Sequence, residues 1–252
     1  MGALRRAGTW AGSGAGLAAL AHYLPSVCVL GQWSPVPVRA LPFGWCRWRG
    51  PATADAVALT LDDGPSPETT PRTLDLLDVL GMRATFFVLG SLAKTHADLV
   101  SEILQRGHSV GSHGYVHEHH LLRSPAWIRR DLELSVAAIE AAGCRPRWYR
   151  PAYGQLTART VAEARRHDME VVLWSAWGRE WAEPGPVPVM ARLERRLEPG
   201  AIVLLHDTDV MCPSGTALRT HATLGLLAAK LDELGLRASR IDDLVHPEQQ
   251  RE

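Results

Sequence analysis

From Asp55 onward, short apolar runs alternate with amphipathic stretches. Residues 56–61 form an apolar run rich in β formers and read as a strand. Thr70-Pro71 then opens a helix, a cap followed by proline in the first turn, with Leu74, Leu77 and Leu80 on one face and Gly81 as its stop. By the same reasoning, further strands are predicted at 84–89, 109–111, 147–150, 170–174, 201–205 and 237–241. Helices are predicted at 97–106, from Ser124-Pro125 to Gly143, from the Thr157 cap to His167, at 187–197 and at 220–234. Seven strands separated mainly by helices imply parallel strands joined by right-handed crossovers. So many repeats in about 190 residues favour an α/β fold of the (β/α) barrel type, complete or incomplete. An open doubly wound sheet is the alternative, but no G-x-G-x-x-G follows the first strand.

The chain before Asp55 has a different texture. Between Arg6 and Arg39 there is no Lys, Arg, Asp or Glu, and Arg5-Arg6 precede the apolar stretch like the positive flank of an export signal. Gly12, Gly14, Gly16 and Pro25 weaken it as a membrane helix. The expectation is a leader or anchor with the catalytic part outside the cytoplasm, a core-packing extension in a cytoplasmic protein being the alternative. Pro35, Pro37, Pro42 and Pro51 mark residues 34–51 as a linker. The organisation expected is therefore 1–50 as leader plus linker, 51–246 as the catalytic domain and 247–252 as a tail.

Composition narrows the functional classes. The 27 Lys+Arg balance the 27 Asp+Glu, so the chain lacks the basic excess that drives nonspecific nucleic-acid binding, and no nucleic-acid partner is expected. Cys28, Cys46, Cys144 and Cys212 form no C-x-x-C pair, which argues against a zinc ribbon and for structural thiols. The 9 tryptophans outnumber the 4 tyrosines and 3 phenylalanines together and favour a site that stacks something flat.

In parallel α/β folds, chemistry gathers at the C-terminal ends of the strands. Here those ends carry Asp62-Asp63-Gly64-Pro65, Ser112-His113 with His117 four residues on, Arg150-Pro151-Ala152-Tyr153-Gly154, then Trp174, Trp177, Glu180 and Trp181, and finally His206-Asp207. One carboxylate with two histidines is a chemically sensible divalent-metal set that leaves positions open for water and substrate. A neighbouring aspartate can take a proton from water, and His206 can protonate a leaving group. The set reads as metal-assisted hydrolysis.

These motifs, in this order and spacing over about residues 55–245, resemble those of the polysaccharide deacetylases, carbohydrate esterase family four, the domain of rhizobial chitooligosaccharide deacetylases. The resemblance implies a distorted, incomplete (β/α) barrel and removal of acetyl groups from sugars. It implies Asp62 as general base and Asp63, His113 and His117 as ligands of a divalent metal, usually zinc, with cobalt or another ion accepted. It further implies Arg150 orienting Asp62, the Tyr153 N–H serving the oxyanion, Trp181 and Leu204 lining the acetyl-sugar pocket, and His206 as general acid. Two departures stand out: Ala152 replaces a usual proline, and the fourth motif reads Trp177-Gly-Arg-Glu180-Trp181 where Asp-x-x-Asp-Trp is usual. Glu180 is expected to reach His206, with its extra methylene absorbed by a shifted backbone near Gly178 and with Trp177 narrowing the groove.

Other polar residues are expected to be structural. His119 and His120 continue the turn into solvent, His108 bonds within its loop, Asp207 and Asp209 shape the loop after the sixth strand, and Trp174 belongs to the core. Arg129, Arg130, Arg165 and Arg166 form solvated helix faces. The expected partner is an acetylated glycan of peptidoglycan or chitooligosaccharide type, cleaved at its amide. An O-acetyl esterase and a noncatalytic sugar-binding module are the alternatives, and the sequence leaves the oligomeric state open.

Overall fold

The structure, a computed structural model, describes residues 44–246. The expectations for residues 1–43 and 247–252 lie outside the described residues. Strands β1 (Ala56–Asp62), β2 (Thr85–Val88), β3 (Ser109–Ser112), β4 (Trp148–Tyr149), β5 (Glu170–Val171), β6 (Ala176–Trp177), β7 (Ile202–His206) and β8 (Arg237–Ser239) form one sheet. Helices α1 (Thr70–Val79), α2 (Gly90–Thr95), α3 (Ala97–Gln105), α4 (Pro125–Ala141), α5 (Ala158–Arg166), α6 (Pro186–Glu194), α7 (Thr216–Leu234) and α8 (Ile241–Val245) connect and cover it.

The sheet runs β5-β4-β3-β2-β1-β7-β6, every pair parallel. It curls into a half-barrel, as the alternation of strands and helices implies. At the centre β1 pairs with β7 along 58–62, while β2 and β8 divide its other edge. No ladder joins β5 to β6 among the described residues. Residues 45–49, expected to be linker, lie there: Arg47 bridges to Val172 and Arg49 to Ala201.

The alternation along each inner strand explains where the site lies. Val57, Leu59 and Leu61 face outward into the large cluster under α1 and α7. Ala56 and Ala58 face the barrel interior with Phe87, Trp148, Val172 and Ile202. Continuing along that inner stripe, the next two positions are Thr60 and Asp62. On β7 the stripe runs Ile202, Leu204, His206. The interior is thus packed with apolar side chains at one end and turns polar at the C-terminal end, because side chains on one face recur every second residue.

Three elements differ from expectation. The strand predicted at 170–174 is cut short at Val171, where Arg150 takes the carbonyls of Val172 and Leu173, and a separate strand at Ala176–Trp177 then pairs with β7. Helix α2 carried no predicted pattern. It starts at Gly90, where a Cβ would lie 2.6 Å from the Ser135 Cα, so only glycine permits this approach to α4. Thr70 does not cap α1; its hydroxyl accepts from the Ser66 N–H and donates to Asp207 Oδ2 at 2.6 Å.

Candidate active site

The polar ends of β1, β3, β4, β6 and β7 converge on one cavity of about 310 Å³. Asp62, Asp63, His113, His117, Tyr153, Trp177, Trp181, Leu204 and His206 all line it. Arg150 and Glu180 stand directly behind, both fully buried.

Asp62 is the last residue of β1 and is held by Arg150, whose Nη1 donates to its Oδ1 at 2.7 Å. The guanidinium sits inside the barrel and also donates to Thr60 Oγ1 and to the carbonyls of Val172 and Leu173, over the face of Phe87. Burial pulls the Arg150 pKa down and the Asp62 charge works against it. A planar fork with fixed donors suits such a cage, and lysine could not fill it. Asp62 Oδ2 remains on the cavity side, 3.9 Å from His113 Nε2.

Asp63 turns the chain out of the strand with φ 76, a region where aspartate is among the better-tolerated side chains. The turn aims its carboxylate at the two histidines. Oδ1 lies 3.3 Å from His113 Nε2 and 3.4 Å from His117 Nε2. It is a buried oxygen with no hydrogen-bond partner. Three donors around a tetrahedral zinc would lie about 3.3 Å apart, given ligand bonds near 2.0–2.1 Å. An orphaned carboxylate oxygen with two imidazoles at this spacing fits a divalent ion. His113 Nδ1 contacts the Arg150 carbonyl at 2.7 Å. A carbonyl only accepts, so Nδ1 carries a proton and Nε2 is the atom turned to the site; burial opposes charge on this ring, but Asp62 and Asp63 raise its pKa, so a bound ion would displace the Nε2 proton.

The electrostatics point the same way. Burial opposes charge on Asp63, yet His113, His206 and His117 hold its carboxyl well below the usual range. Burial and the neighbouring His113 push His117 down to about 4, so it stands as the neutral imidazole a ligand must be. Arg150 pairs with Asp62 and His206 with Glu180, which leaves Asp63 as the carboxylate turned to the Nε2 atoms of His113 and His117.

His206 ends β7, and its Nδ1 donates to Glu180 Oε1 at 2.6 Å. The same oxygen accepts the His206 backbone N–H at 2.7 Å. Burial lowers the His206 pKa, but the Glu180 charge and hydrogen bond, then Asp63 and Asp62, outweigh it and raise it to about 10. Its Nε2 faces the cavity, 3.9 Å from Asp63 Oδ2. The chain reaches Glu180 by a left-handed turn at Arg179, φ 53, rather than at Gly178. Gly178 is instead needed for close packing, since a Cβ there would lie 2.7 Å from Leu205. From α7, Arg219 holds the Glu180 carbonyl and Thr220 the His206 carbonyl.

Several expectations are corrected. His120 is buried rather than solvated, bonded to Thr160 Oγ1 at 3.0 Å. His119 stacks on Tyr153 with ring centroids 3.7 Å apart and bonds Gln155. His108 reaches across to the Ala84 N–H instead of bonding within its loop. Trp174 packs against the core as expected and also lines the cavity beside Trp177. Arg129, Arg130, Arg165 and Arg166 do lie on solvated helix faces, and Arg129 and Arg166, with Arg159, also reach the buried Glu163. Two contributors escaped the sequence reading. Asp131 accepts the N–H groups of Tyr115 and Val116, and Ser135 donates to the Gly114 carbonyl, so α4 fixes the turn between His113 and His117. Their spacing, i and i+4 on a buried helix face, was the available signal. Cys212, read as a structural thiol, lines the cavity with its Sγ 3.7 Å from Asp63 Oδ2.

Known proteins share this arrangement of strands. The polysaccharide deacetylase family model matches residues 49–172. A peptidoglycan-N-acetylglucosamine deacetylase of Bacillus cereus is 30% identical over 207 residues, covering 81% of this chain and 94% of the relative. A crystal structure of the Bc1960 peptidoglycan N-acetylglucosamine deacetylase with a hydroxamate, 4-naphthalen-1-yl-N-oxidanyl-benzamide, superposes with a TM-score of 0.75 at 27% identity, covering 81% of this chain and 97% of that one. A pseudoenzyme of carbohydrate esterase family four from Bacillus anthracis superposes at 0.68 with 31% identity, covering 78% of this chain and 67% of that one.

Proposed function

The chain belongs to the polysaccharide deacetylase family, and from that membership we propose that it hydrolyses the acetamido group of N-acetylglucosamine units in a cell-wall or chitin-like glycan, with a divalent metal ion, zinc first, held by Asp63, His113 and His117. The observation that carries the reading is the donor triad lying in one cavity between a carboxylate on its arginine and a histidine on its glutamate. It is an enzyme of the polysaccharide N-deacetylase class; the glycan, the metal and the residue roles are our proposal.

When bound, the ion would supply Lewis-acid polarisation of the acetyl carbonyl and of water. The chain's own residues do the rest. Asp62, fixed through Oδ1 by Arg150, takes a proton from the attacking water on Oδ2. The Tyr153 N–H donates to the developing oxyanion. As the carbon–nitrogen bond breaks, His206 Nε2 gives its proton to the leaving amine, and Glu180 keeps Nδ1 protonated and the ring in place. Trp177 and Trp181, tilted with centroids 6.2 Å apart, offer faces to a pyranose ring, with Leu204 against the acetyl methyl.

Incubation of the zinc- or cobalt-loaded protein with acetylated oligosaccharides, followed by mass spectrometry, tests the reading. One acetate and one new amine per event are expected. Acetate without amine identifies an O-acetyl esterase, and no acetate from any substrate, as in a pseudoenzyme, overturns the proposal.

A further inference from the structure

The Asp63 carboxylate faces two ways. Its Oδ1 serves the His113 and His117 pair, while its Oδ2 faces His206 Nε2 at 3.9 Å and Cys212 Sγ at 3.7 Å. Ligand atoms of Asp63, His206 and Cys212 lie within 4.8 Å of one another. Around a tetrahedral zinc, the sulfur–oxygen edge is about 3.6 Å and the oxygen–nitrogen edge about 3.3 Å, so the Cys212–Asp63 edge already fits and the His206–Asp63 edge closes by about 0.6 Å. His206 is prepared as a ligand in the manner of metal-bound histidines, its Nδ1–H engaged by a carboxylate and its Nε2 turned to the open side. Cys212 sits on the loop after β7, which Asp209 stiffens by accepting the N–H groups of Gly215 and Ala217. The thiol is therefore held over the cavity by structure on both sides.

We propose that Asp63, His206 and Cys212 form a second metal site for a thiophilic divalent ion such as Zn²⁺ or Cd²⁺, bridged to the first by the Asp63 carboxylate, and that filling it inhibits the enzyme. The site offers one oxygen, one nitrogen and one sulfur, a set that selects zinc-like ions over magnesium or calcium. Binding replaces the Sγ proton of Cys212 and any proton on His206 Nε2, both passing to solvent, and forms a metal–sulfur and a metal–nitrogen bond. The nitrogen consumed is the atom that would protonate the leaving amine. The inhibitory part rests on the deacetylase reading; the binding part does not.

Metal-free full-length protein titrated with Co²⁺ decides the binding part. Two ions per chain are expected in the wild type, with a thiolate-to-Co²⁺ charge-transfer band. Cys212→Ser should bind one ion without the band, and Cys144→Ser should keep both. One ion per chain in the wild type, or a band that survives in Cys212→Ser, overturns the second site. X-ray absorption of wild type loaded with Cd²⁺ gives the same answer without a substitution: one sulfur neighbour per two ions, against none. Protein loaded with one Zn²⁺ should then lose at least about tenfold in deacetylation rate on excess Zn²⁺, while Cys212→Ser keeps its own one-zinc rate. Two ions bound with no loss of rate removes the inhibitory role and leaves the site. Absence of turnover at one ion per chain refutes the deacetylase reading and leaves the cobalt result standing.

Discussion

Replacing Glu180 by glutamine removes one charge from the site while keeping its hydrogen-bond acceptor. The side-chain oxygen would still accept from His206 Nδ1 and from the His206 backbone N–H, both now served by Glu180 Oε1. What changes is the support for the imidazolium. Two unit charges about 4 Å apart in an effective dielectric of about 20 interact by about 4 kcal/mol. At 1.36 kcal/mol for each pKa unit, that is about 3 units. The retained hydrogen bond and the carboxylates of Asp62 and Asp63 keep part of the elevation, so a fall of about 2 units from the His206 value near 10 is expected. An amine leaves poorly unless protonated, so turnover requires the acid form of His206. The alkaline limb of the kcat profile should therefore move from near pH 10 to about pH 8, with the acid limb in place. The assay is acetate release from one acetylated oligosaccharide across that range, at fixed metal loading. An unchanged alkaline limb, even with a lower rate, would show that Glu180 only holds the backbone turn and that His206 is not the acid.

Four further outcomes follow from the geometry. Asp62→Asn keeps the Arg150 contact and should retain the metal while losing about 10²-fold or more in kcat; normal turnover would exchange the roles of the two aspartates. His113→Ala should lower bound metal by about one ion per chain in elemental analysis, and equal content would dismiss the triad. Burial raises Asp207 to about 7, with Thr70 working against the rise and Asp63 adding to it. Its folded pKa lies above the unfolded value, so this group's contribution to stability is intact below about pH 4 and is lost as pH rises through about 7. Asp207→Asn should therefore raise Tm at pH 8 and leave it nearly unchanged at pH 4; an equal gain at both would refute the charge argument. Chelation of an ion present at about 100 times its Kd removes about 2.7 kcal/mol, which is about 5–10 °C of Tm for a chain of this size, and a Tm indifferent to chelator would contradict ion binding.

The sequence made the outer architecture legible because it is periodic. Leu74 and Leu77 on α1 and the apolar runs of β1 and β7 repeat at the spacing of their elements, and that spacing survives folding. The strand-end residues were legible for a related reason, since Asp62 and His206 end their strands and Asp63, His113 and Arg150 follow theirs directly. What stayed hidden depends on through-space neighbours. Nothing local says that Arg150 will take the carbonyls after β5 and end that strand. His119 and His120 look alike in sequence, yet one stacks on Tyr153 and the other is sealed beneath α5 by Thr160. Cys212 stands 149 residues from the carboxylate it faces, and only the return of β7 beside β1 brings them together.

The site is built by extending the pattern of the core rather than by adding to it. Along the inner stripe of β1, Ala56 and Ala58 give way to Thr60 and Asp62, and along β7, Ile202 and Leu204 give way to His206. The backbone needs no change for this exchange, so the fold does not depend on the chemistry at its end. Stability comes from the opposite face, where Val57, Leu59, Leu61, Val203 and Leu205 are fully buried under the helices. The polar end works against stability. Arg150 offsets Asp62 and His206 offsets Glu180, but the buried Asp63 Oδ1 and Asp207 Oδ1 have no hydrogen-bond partner, and a carboxylate removed from water is costly until a cation or proton offsets it. Replacing Asp63 by a neutral residue would then remove a proposed metal ligand while leaving the metal-free barrel as stable or more so, whereas losing Asp62 would strand the buried Arg150. That asymmetry gives a physical reason why one fold carries both deacetylases and a pseudoenzyme of the same family. It also places the test of function on the proposed acid, base and three ligands together, because the apolar face that packs the sheet contains none of them.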